Sequence, residues 1–468
     1  MSTLPRPSRL PRKKLLAPGA YGVLGIVIFL LLAVGFSHYS STAFAKPAIS
    51  STSSNIAPQF TTQQRIGFQS GDDWEPSITA DRYGHVYTLY KHYDVTGGQT
   101  CQGCDKHLLF QRSDDGGKTW SAPRALTPTS LKNVGPQFDS QIMVDPLDGR
   151  TVWVSYLQNN TSIIAVQKST DFGQTWSPQV IVSNPLPAGL DKDELAVRGK
   201  EIVVAYDDNR NTWSSVSLDG GNTWKVHEVF PTSDRFSISL SANAAIDSHG
   251  NIFVSWDSFD KAHRKNGDGP ATVWVSKSTD FGRTWARTII DVSGAGFPCN
   301  NCGYSYLSAQ MALRIGSDDT IYLLWNGTVT LTNFAPERIF FSRSTDDGRT
   351  YSPREGVSDA PAGVGHCFPA IAVGSATGDV RIAWMDKRTG RWNVFFRGSA
   401  DGGLHFSSTV QVSSYVPGFP YLHPNGFDLP YGDYQSMVVD DNNQTQMAFG
   451  EAPSYAGPGN QWVSHSTD

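Results

Sequence analysis

Helical periodicity is scarce in this 468-residue sequence beyond its first 45 residues. That scarcity argues against helix bundles and alternating α/β folds, both of which require it. Positive charge is also short. Lys and Arg number 38 against 43 Asp and Glu, for a net charge of −5. The first 45 residues hold five basic residues and no acid, so the remainder carries −10. Such a surface is a poor match for nucleic acid, and none is expected as a partner. What the chain has is 39% hydrophobic residues, enough for a large core, with 44 Gly and 27 Pro, which suit a turn-rich all-β protein.

The N-terminus is a different material. Arg6, Arg9, Arg12, Lys13 and Lys14 form a basic segment over residues 1–14, and an uncharged apolar run follows over 15–37. The run is long enough to span a bilayer, and the charge before it predicts a single pass with the N-terminus cytoplasmic and the rest outside. Ala43-Phe44-Ala45 is a small-residue site of the kind a signal peptidase cuts, which would give a secreted protein, but the run exceeds a usual signal-peptide core. An uncleaved anchor is therefore expected. Residues 38–57 read as a linker, Ser, Thr, Ala and Pro-rich toward its end.

From residue 58 onward the chain repeats. Ser113-Asp114-Asp115-Gly116-Gly117-Lys118-Thr119-Trp120 recurs at 169–176, 217–224, 278–285, 344–351 and 399–406, and a further copy opens at Ser466. The final aromatics of successive copies lie 48 to 66 residues apart, the period of a supersecondary unit. Each copy has tight-turn chemistry: a hydroxyl and an Asp that bond backbone, a Gly that accepts positive φ, then Thr-Trp restarting a strand. Before every copy lie two apolar strands joined by an Asp or Gly turn and then a third. The pattern predicts a seven-bladed β-propeller of four-stranded antiparallel blades over 58–468, with six blades as the alternative. The last blade lacks an outer strand of its own. Residues 59–68 are expected to supply it and close the ring, leaving no open sheet edge.

Ser-x-Asp-x-Gly-x-Thr-Trp at this period resembles the Asp-box, or BNR, repeat of the sialidase superfamily, over residues 58–468. The resemblance implies that box turns occupy one face and that ligands meet the other, where second-to-third loops and blade crossovers gather. It does not decide catalysis, because such propellers include glycoside hydrolases and binding proteins.

Aligning the inner strands puts Glu75, Asp139 and Asp193 near the mouth of the central channel, beside Asp433 and Tyr434 across the closure. Such carboxylates could serve as general acid and base on a glycosidic bond, form a cation site, or simply cap strand ends, and they are the candidate catalytic residues with Tyr434. Tyr434-Gln-Ser-Met437 is similar to the last-blade segment that carries the sialidase nucleophile, implying that role for Tyr434. Sialidases commonly open the first inner strand with Arg-Ile-Pro; this sequence has Trp74-Glu75-Pro76, so that substrate-gripping Arg is missing. Residues 384–393 resemble the Trp-x-Asp-x-Arg-x-Gly loops of bacterial BNR proteins. Arg388 there could bind a sugar carboxylate, or simply pair with Asp386 and fix a hairpin. Trp74, Trp213 and Trp392 fall outside the repeated aromatic positions and are candidates for sugar stacking, with Asp433 as a further ligand contact. Trp256, Trp325 and Trp384 end second strands and are expected in the core.

Five cysteines complete the inventory. Cys101 and Cys104 form one Cys-x-x-Cys pair and Cys299 and Cys302 another, and Cys367 stands alone beside His366. Outside the membrane the pairs are expected as disulfides, with a metal site and free thiols as alternatives. No cofactor is expected. Three functions follow: an anchored or exported propeller that recognises a glycan or cell-surface protein, an extracytoplasmic, sialidase-like glycoside hydrolase, and a periplasmic or surface redox or metal protein built on the cysteines. The missing Arg-Ile-Pro favours the first; the acidic arc with Tyr434 favours the second.

Overall fold

The computed structural model describes residues 57–467 except 68–69, 95–105, 127–134, 187, 209, 232–235, 261–269, 295–309, 333–334, 431–434 and 455–456. The expected anchor and nearly all of the linker lie outside the described residues. Among the described residues no helix is long and apolar enough to cross a membrane.

The repeats become seven antiparallel sheets, each running from an inner strand outward. Blade 1 holds Asp72–Ala80, Val86–Tyr93, Lys106–Ser113 and Arg124–Ala125; blade 2 holds Phe138–Val144, Val152–Gln158, Ile163–Ser169 and Val180–Ile181. Blade 3 holds Asp191–Arg198, Glu201–Asp207, Thr212–Ser217 and Lys225–Phe230; blade 4 holds Phe236–Ile246, Ile252–Asp260, Ala271–Ser278 and Ala286–Ser293. Blade 5 holds Met311–Ile315, Ile321–Thr328, Glu337–Ser344 and Glu355–Gly356; blade 6 holds His366–Val373, Val380–Asp386, Asn393–Ser399 and Val410–Gln411. In blade 7, Leu429–Pro430 and Ser436–Val439 both pair with Thr445–Ala452, which pairs with Asn460–His465. Gln64–Ile66 then completes that blade, with Arg65 opposite Trp462. The ring is thus seven-bladed, and the segment before the first inner strand closes it as the sequence predicted. Successive inner strands touch all the way round, including Ser436–Val439 against Asp72–Ala80.

Each inner strand is a sheet edge whose outward N–H groups need partners. Neighbouring blades provide them. Ser436 Oγ accepts from Ile78 N at 3.2 Å, Ser77 Oγ from Ile142 N at 3.0 Å and Asn243 Oδ1 from Leu313 N at 3.2 Å. These bonds lock the register between blades that share no ladder.

The core lies between blades. Tyr87, Leu89 and Phe110 of blade 1 pack on Val144, Val154 and Tyr156 of blade 2, and equivalent clusters follow around the ring. Trp256, Trp325 and Trp384 are fully buried at the predicted core positions. Each such side chain contributes on the order of 1.5–3 kcal/mol through removal from water.

The box is a clasp. In blade 3, Ser217 Oγ donates to Asp219 Oδ1 at 2.9 Å and accepts from Gly221 N, while Thr223 donates through N and Oγ1 to the same carboxylate at 2.9 and 2.7 Å. The Thr223 bonds hold the Asp219 pKa down at about 2. The other boxes repeat this pattern, with His405 in place of Thr in blade 6. Boxes also grip the preceding blade. Arg112 of blade 1 donates to the Phe172 carbonyl of the blade 2 box, Lys168 to Gly220 O of blade 3, and Arg343 to Gly402 O of blade 6. Across the closure, Gln446 of blade 7 donates to Gly116 O of blade 1.

Candidate functional site

The box turns join third to fourth strands at one end of blades 1 to 6. Inner-strand starts and second-strand ends therefore meet at the opposite end, the mouth. There the inner strands of blades 1, 2, 3 and 6 share a bulge, with register shifts at Trp74/Ser77, Phe138/Gln141, Asp191/Glu194 and Cys367/Ala370. The first free residue of each bulge is left-handed: Glu75 at φ 55°, Asp139 at 45°, Lys192 at 52° and Phe368 at 51°. A left-handed non-glycine residue costs about 1–2 kcal/mol, and four at one place are held there by surrounding contacts. Lys192 N, for example, donates to Asp191 Oδ1 at 3.0 Å and to Asp139 Oδ2 at 3.3 Å.

Glu75 and Asp139 come together. The Glu75 carboxyl hydrogen-bonds Asp139, as does that of Asp191, and Lys192 Nζ stands 4.0 Å from Asp139 Oδ2. Burial works to raise Asp139, but Lys192 and the carboxyl hydrogen bonds from Asp191 and Glu75 outweigh it, so its pKa is lowered. Beneath them Lys91 is completely buried, its Nζ donating to the Gln137 carbonyl and resting on the Phe138 ring. Burial pushes Lys91 well below the usual lysine range despite the attraction of Glu75 and Asp139.

Asp193 does not join this pair. The left-handed position in blade 3 belongs to Lys192, so Asp193 falls one residue later and its side chain turns between blades, where the Ser155 hydroxyl donates to it. Burial raises its pKa well above the carboxylate range. Glu194, also buried, is raised to about 8 by burial, although Arg314 and Lys192 oppose the shift. Arg314 reaches from blade 5 to Asn243 Oδ1 of blade 4 at 2.7 Å.

The candidate ligand contacts separate. Trp74 is 1% exposed and packs on Tyr93 and Ala452, because the bulge that carries Glu75 to the mouth leaves its neighbour facing inward. Trp392 is also core, packed with Cys367, Phe368 and Phe427. Trp213 is half-buried against the blade 2–3 cluster. Arg388 holds Asp386 through Nε and Nη2 and reaches Asp359 at 2.7 Å while lying over Phe395, the hairpin-fixing arrangement. Asp433, Tyr434, Cys101, Cys104, Cys299 and Cys302 lie outside the described residues. Cys367 is a free, buried thiol, and burial also lowers its neighbour His366 to about 4.

Lys91, Asp191 and Lys192 were not among the residues singled out from sequence. A signal for Lys91 existed. The position after the second-strand aromatic reads Lys91, Leu157, Asp207, Asp257, Asn326, Met385 and Gly450, a layer that is polar in four blades despite its apolar flanks.

Comparison with known proteins fits this architecture. The family model described as a BNR repeat-like domain matches residues 52–312. A sialidase of Bacteroides fragilis (strain YCH46) is 25% identical over 311 residues, 58% of this chain and 50% of that protein. Xyloglucanase Xgh74A of Acetivibrio thermocellus is 25% identical over 211 residues, 39% of this chain and 24% of that one. The chain thus spans half the length of the first relative and about a quarter of the second. A solved PL25 ulvan lyase, 12% identical, superposes with a TM-score of 0.51 over 85% of this chain and 95% of its own, a likeness of fold alone. A family match over more than half the sequence, on seven blades clasped by Asp-boxes, makes the chain a member of the BNR repeat-like family, a sialidase-superfamily β-propeller.

Proposed function

We propose that this propeller recognises a glycan at its mouth, displayed outside the membrane by the apolar segment 15–37. The reading rests on the hydrogen-bonded Glu75 and Asp139 carboxyls over the buried Lys91. Carboxyls at the mouth, backed by a buried amine, are acceptors that fix sugar hydroxyls. Glycoside hydrolysis by two carboxylates asks for about 5–5.5 Å between them in retaining enzymes and about 6.5–9.5 Å in inverting ones, to admit sugar or water. Tyr434 and Asp433 belong to the same proposal: Tyr434 stands two residues before Ser436, as Glu75 stands two before Ser77.

One observation favours hydrolysis as the second reading. Left-handed backbone at both Glu75 and Asp139 is strain of the kind that collects at active sites, and a ligand wedged between the carboxyls would spread them. Incubating the full-length chain with a glycan array and with chromogenic glycosides separates the readings. Retention on the array without turnover supports recognition. Turnover lost in Glu75→Gln and Asp139→Asn supports hydrolysis, and neither retention nor turnover refutes both.

A further inference from the structure

Away from the carboxylate pair, the rim of blades 6 and 7 carries an aromatic stack that ends in an open ring. The loop between Val380–Asp386 and Asn393–Ser399 and the crossover from Val410–Gln411 to Leu429–Pro430 both leave strand ends opposite the blade 6 box, so they meet on the mouth face. Trp462, fully buried, is the base of the stack. Tyr421 lies 4.7 Å from it and Tyr415 5.7 Å from Tyr421, centre to centre. Tyr421 is pinned, its hydroxyl donating to the Ser414 carbonyl at 2.7 Å and accepting from Gln63 Nε2. Gly426 packs against both tyrosines, where a Cβ would lie 3.2 Å from Tyr415 and 3.3 Å from Tyr421. Tyr415 itself is 46% exposed.

We propose that Tyr415 is a stacking platform for an uncharged pyranose unit of the glycan, with Arg391 and Asp428 as its hydrogen-bonding edge. A sugar ring presents C–H groups on one face and hydroxyls around its rim, so a site for it combines an aromatic face with polar groups beside it. Both are present here. The Arg391 guanidinium carbon stands 5.8 Å from the Tyr415 ring centre, beyond the contact distance of about 3.5–4.0 Å, and leaves the ring open. Arg391 Nη1 lies 3.4 Å from Asp428 Oδ1, and His423 Nδ1 lies 2.9 Å from Asp428 Oδ2.

These polar groups are placed but not saturated. Among the described residues Arg391 Nη1 and His423 Nδ1 have no hydrogen-bond partner, because their contacts with Asp428 are close without being aligned. All three side chains are partly exposed, so hydroxyls can reach them. Arg391 and Asp428 offset each other's charge, which favours a neutral sugar over an acidic one. The stack behind Tyr415 is already fixed, so little side-chain freedom is lost when a sugar ring settles on it. The inference rests on the glycan reading of the mouth but uses none of Glu75, Asp139 and Lys91, so the two can fail separately.

The test is calorimetric titration of the full-length chain with neutral oligosaccharides of increasing length that the glycan array retains. Tyr415→Ala should bind the longer ones about fivefold to tenfold more weakly, and Tyr415→Phe within about twofold of wild type. Arg391→Ala should bind about tenfold more weakly. Tyr415 is at the surface, so both of its variants should unfold at the wild-type midpoint. Wild-type affinity in Tyr415→Ala for every retained oligosaccharide overturns the platform, and leaves the mouth reading standing if Glu75→Gln still weakens binding. An equal loss in Tyr415→Phe overturns stacking as its basis, and retention confined to acidic glycans overturns the choice of a neutral sugar. Wild-type chain that retains no glycan overturns both readings.

Discussion

Ser155 and Asp193 meet across the junction of blades 2 and 3, the hydroxyl donating to a carboxyl that water does not reach. Burial raises the Asp193 pKa, so the group adds stability at low pH that is lost as pH rises through its folded value. Asp193→Asn keeps an acceptor for Ser155 and removes that loss. It should match or exceed wild-type stability at neutral pH. Asp193→Ala leaves the hydroxyl unpaired and should cost about 1–3 kcal/mol in urea unfolding. Ligand affinity should not change in either.

Glu194 gives a pH window with a value attached. Its folded pKa is about 8 against 4.5 for the free group, raised by burial first. Its favourable contribution is complete below pH 4.5 and disappears as pH climbs through 8. Measured as a difference, wild type should lose a few kcal/mol relative to Glu194→Gln between those limits. A difference that stays flat from pH 4.5 to 8 would show that Glu194 is solvated in the folded chain.

Two glycines of the boxes should behave differently, although both are left-handed. A Cβ at Gly173 would lie 2.6 Å from Phe110 Cζ, whereas one at Gly116 would meet nothing within 4 Å. Gly116→Ala should cost only the backbone preference, about 1 kcal/mol. Gly173→Ala adds overpacking of the blade junction and should cost about 2–4 kcal/mol, read by chemical denaturation.

Those glycines also show why the fold was legible. The box Ser, Asp, Gly and Thr bond mainly one another, so a local motif at a fixed period reports each blade without knowledge of the rest. The closure was legible for the same reason: one blade came up a strand short and residues 59–68 stood unassigned. The mouth was harder. Register there is set by bulges whose left-handed residue is Glu, Asp, Lys or Phe, with no glycine to mark it. In Asp191-Lys192-Asp193-Glu194 the alignment put Asp193 at the mouth position, and Lys192 holds it. Trp74 and Trp392 looked free because they break the aromatic repeat, yet each is packed in a core cluster.

Cys367 should be silent in the native protein. Its thiol is fully buried, and burial raises its pKa well above the usual range. Thiol reagents act on the thiolate and need access, so native labelling followed by peptide mass spectrometry should leave Cys367 unmodified and denatured labelling should modify it. Rapid native modification would mean that blade 6 opens at its mouth end.

The central claim is that the ligand meets the Glu75 and Asp139 pair at the mouth and not the box face. It is tested most directly by calorimetric titration of wild type, Glu75→Gln, Asp139→Asn and the box variant Asp219→Ala with an oligosaccharide retained on the array. Losing a charge-assisted hydrogen bond costs about 1.5–3 kcal/mol, so both mouth variants should bind about tenfold or more weakly, with the box variant unchanged. Mouth variants that bind as wild type does, or a box variant that alone loses affinity, would contradict the account.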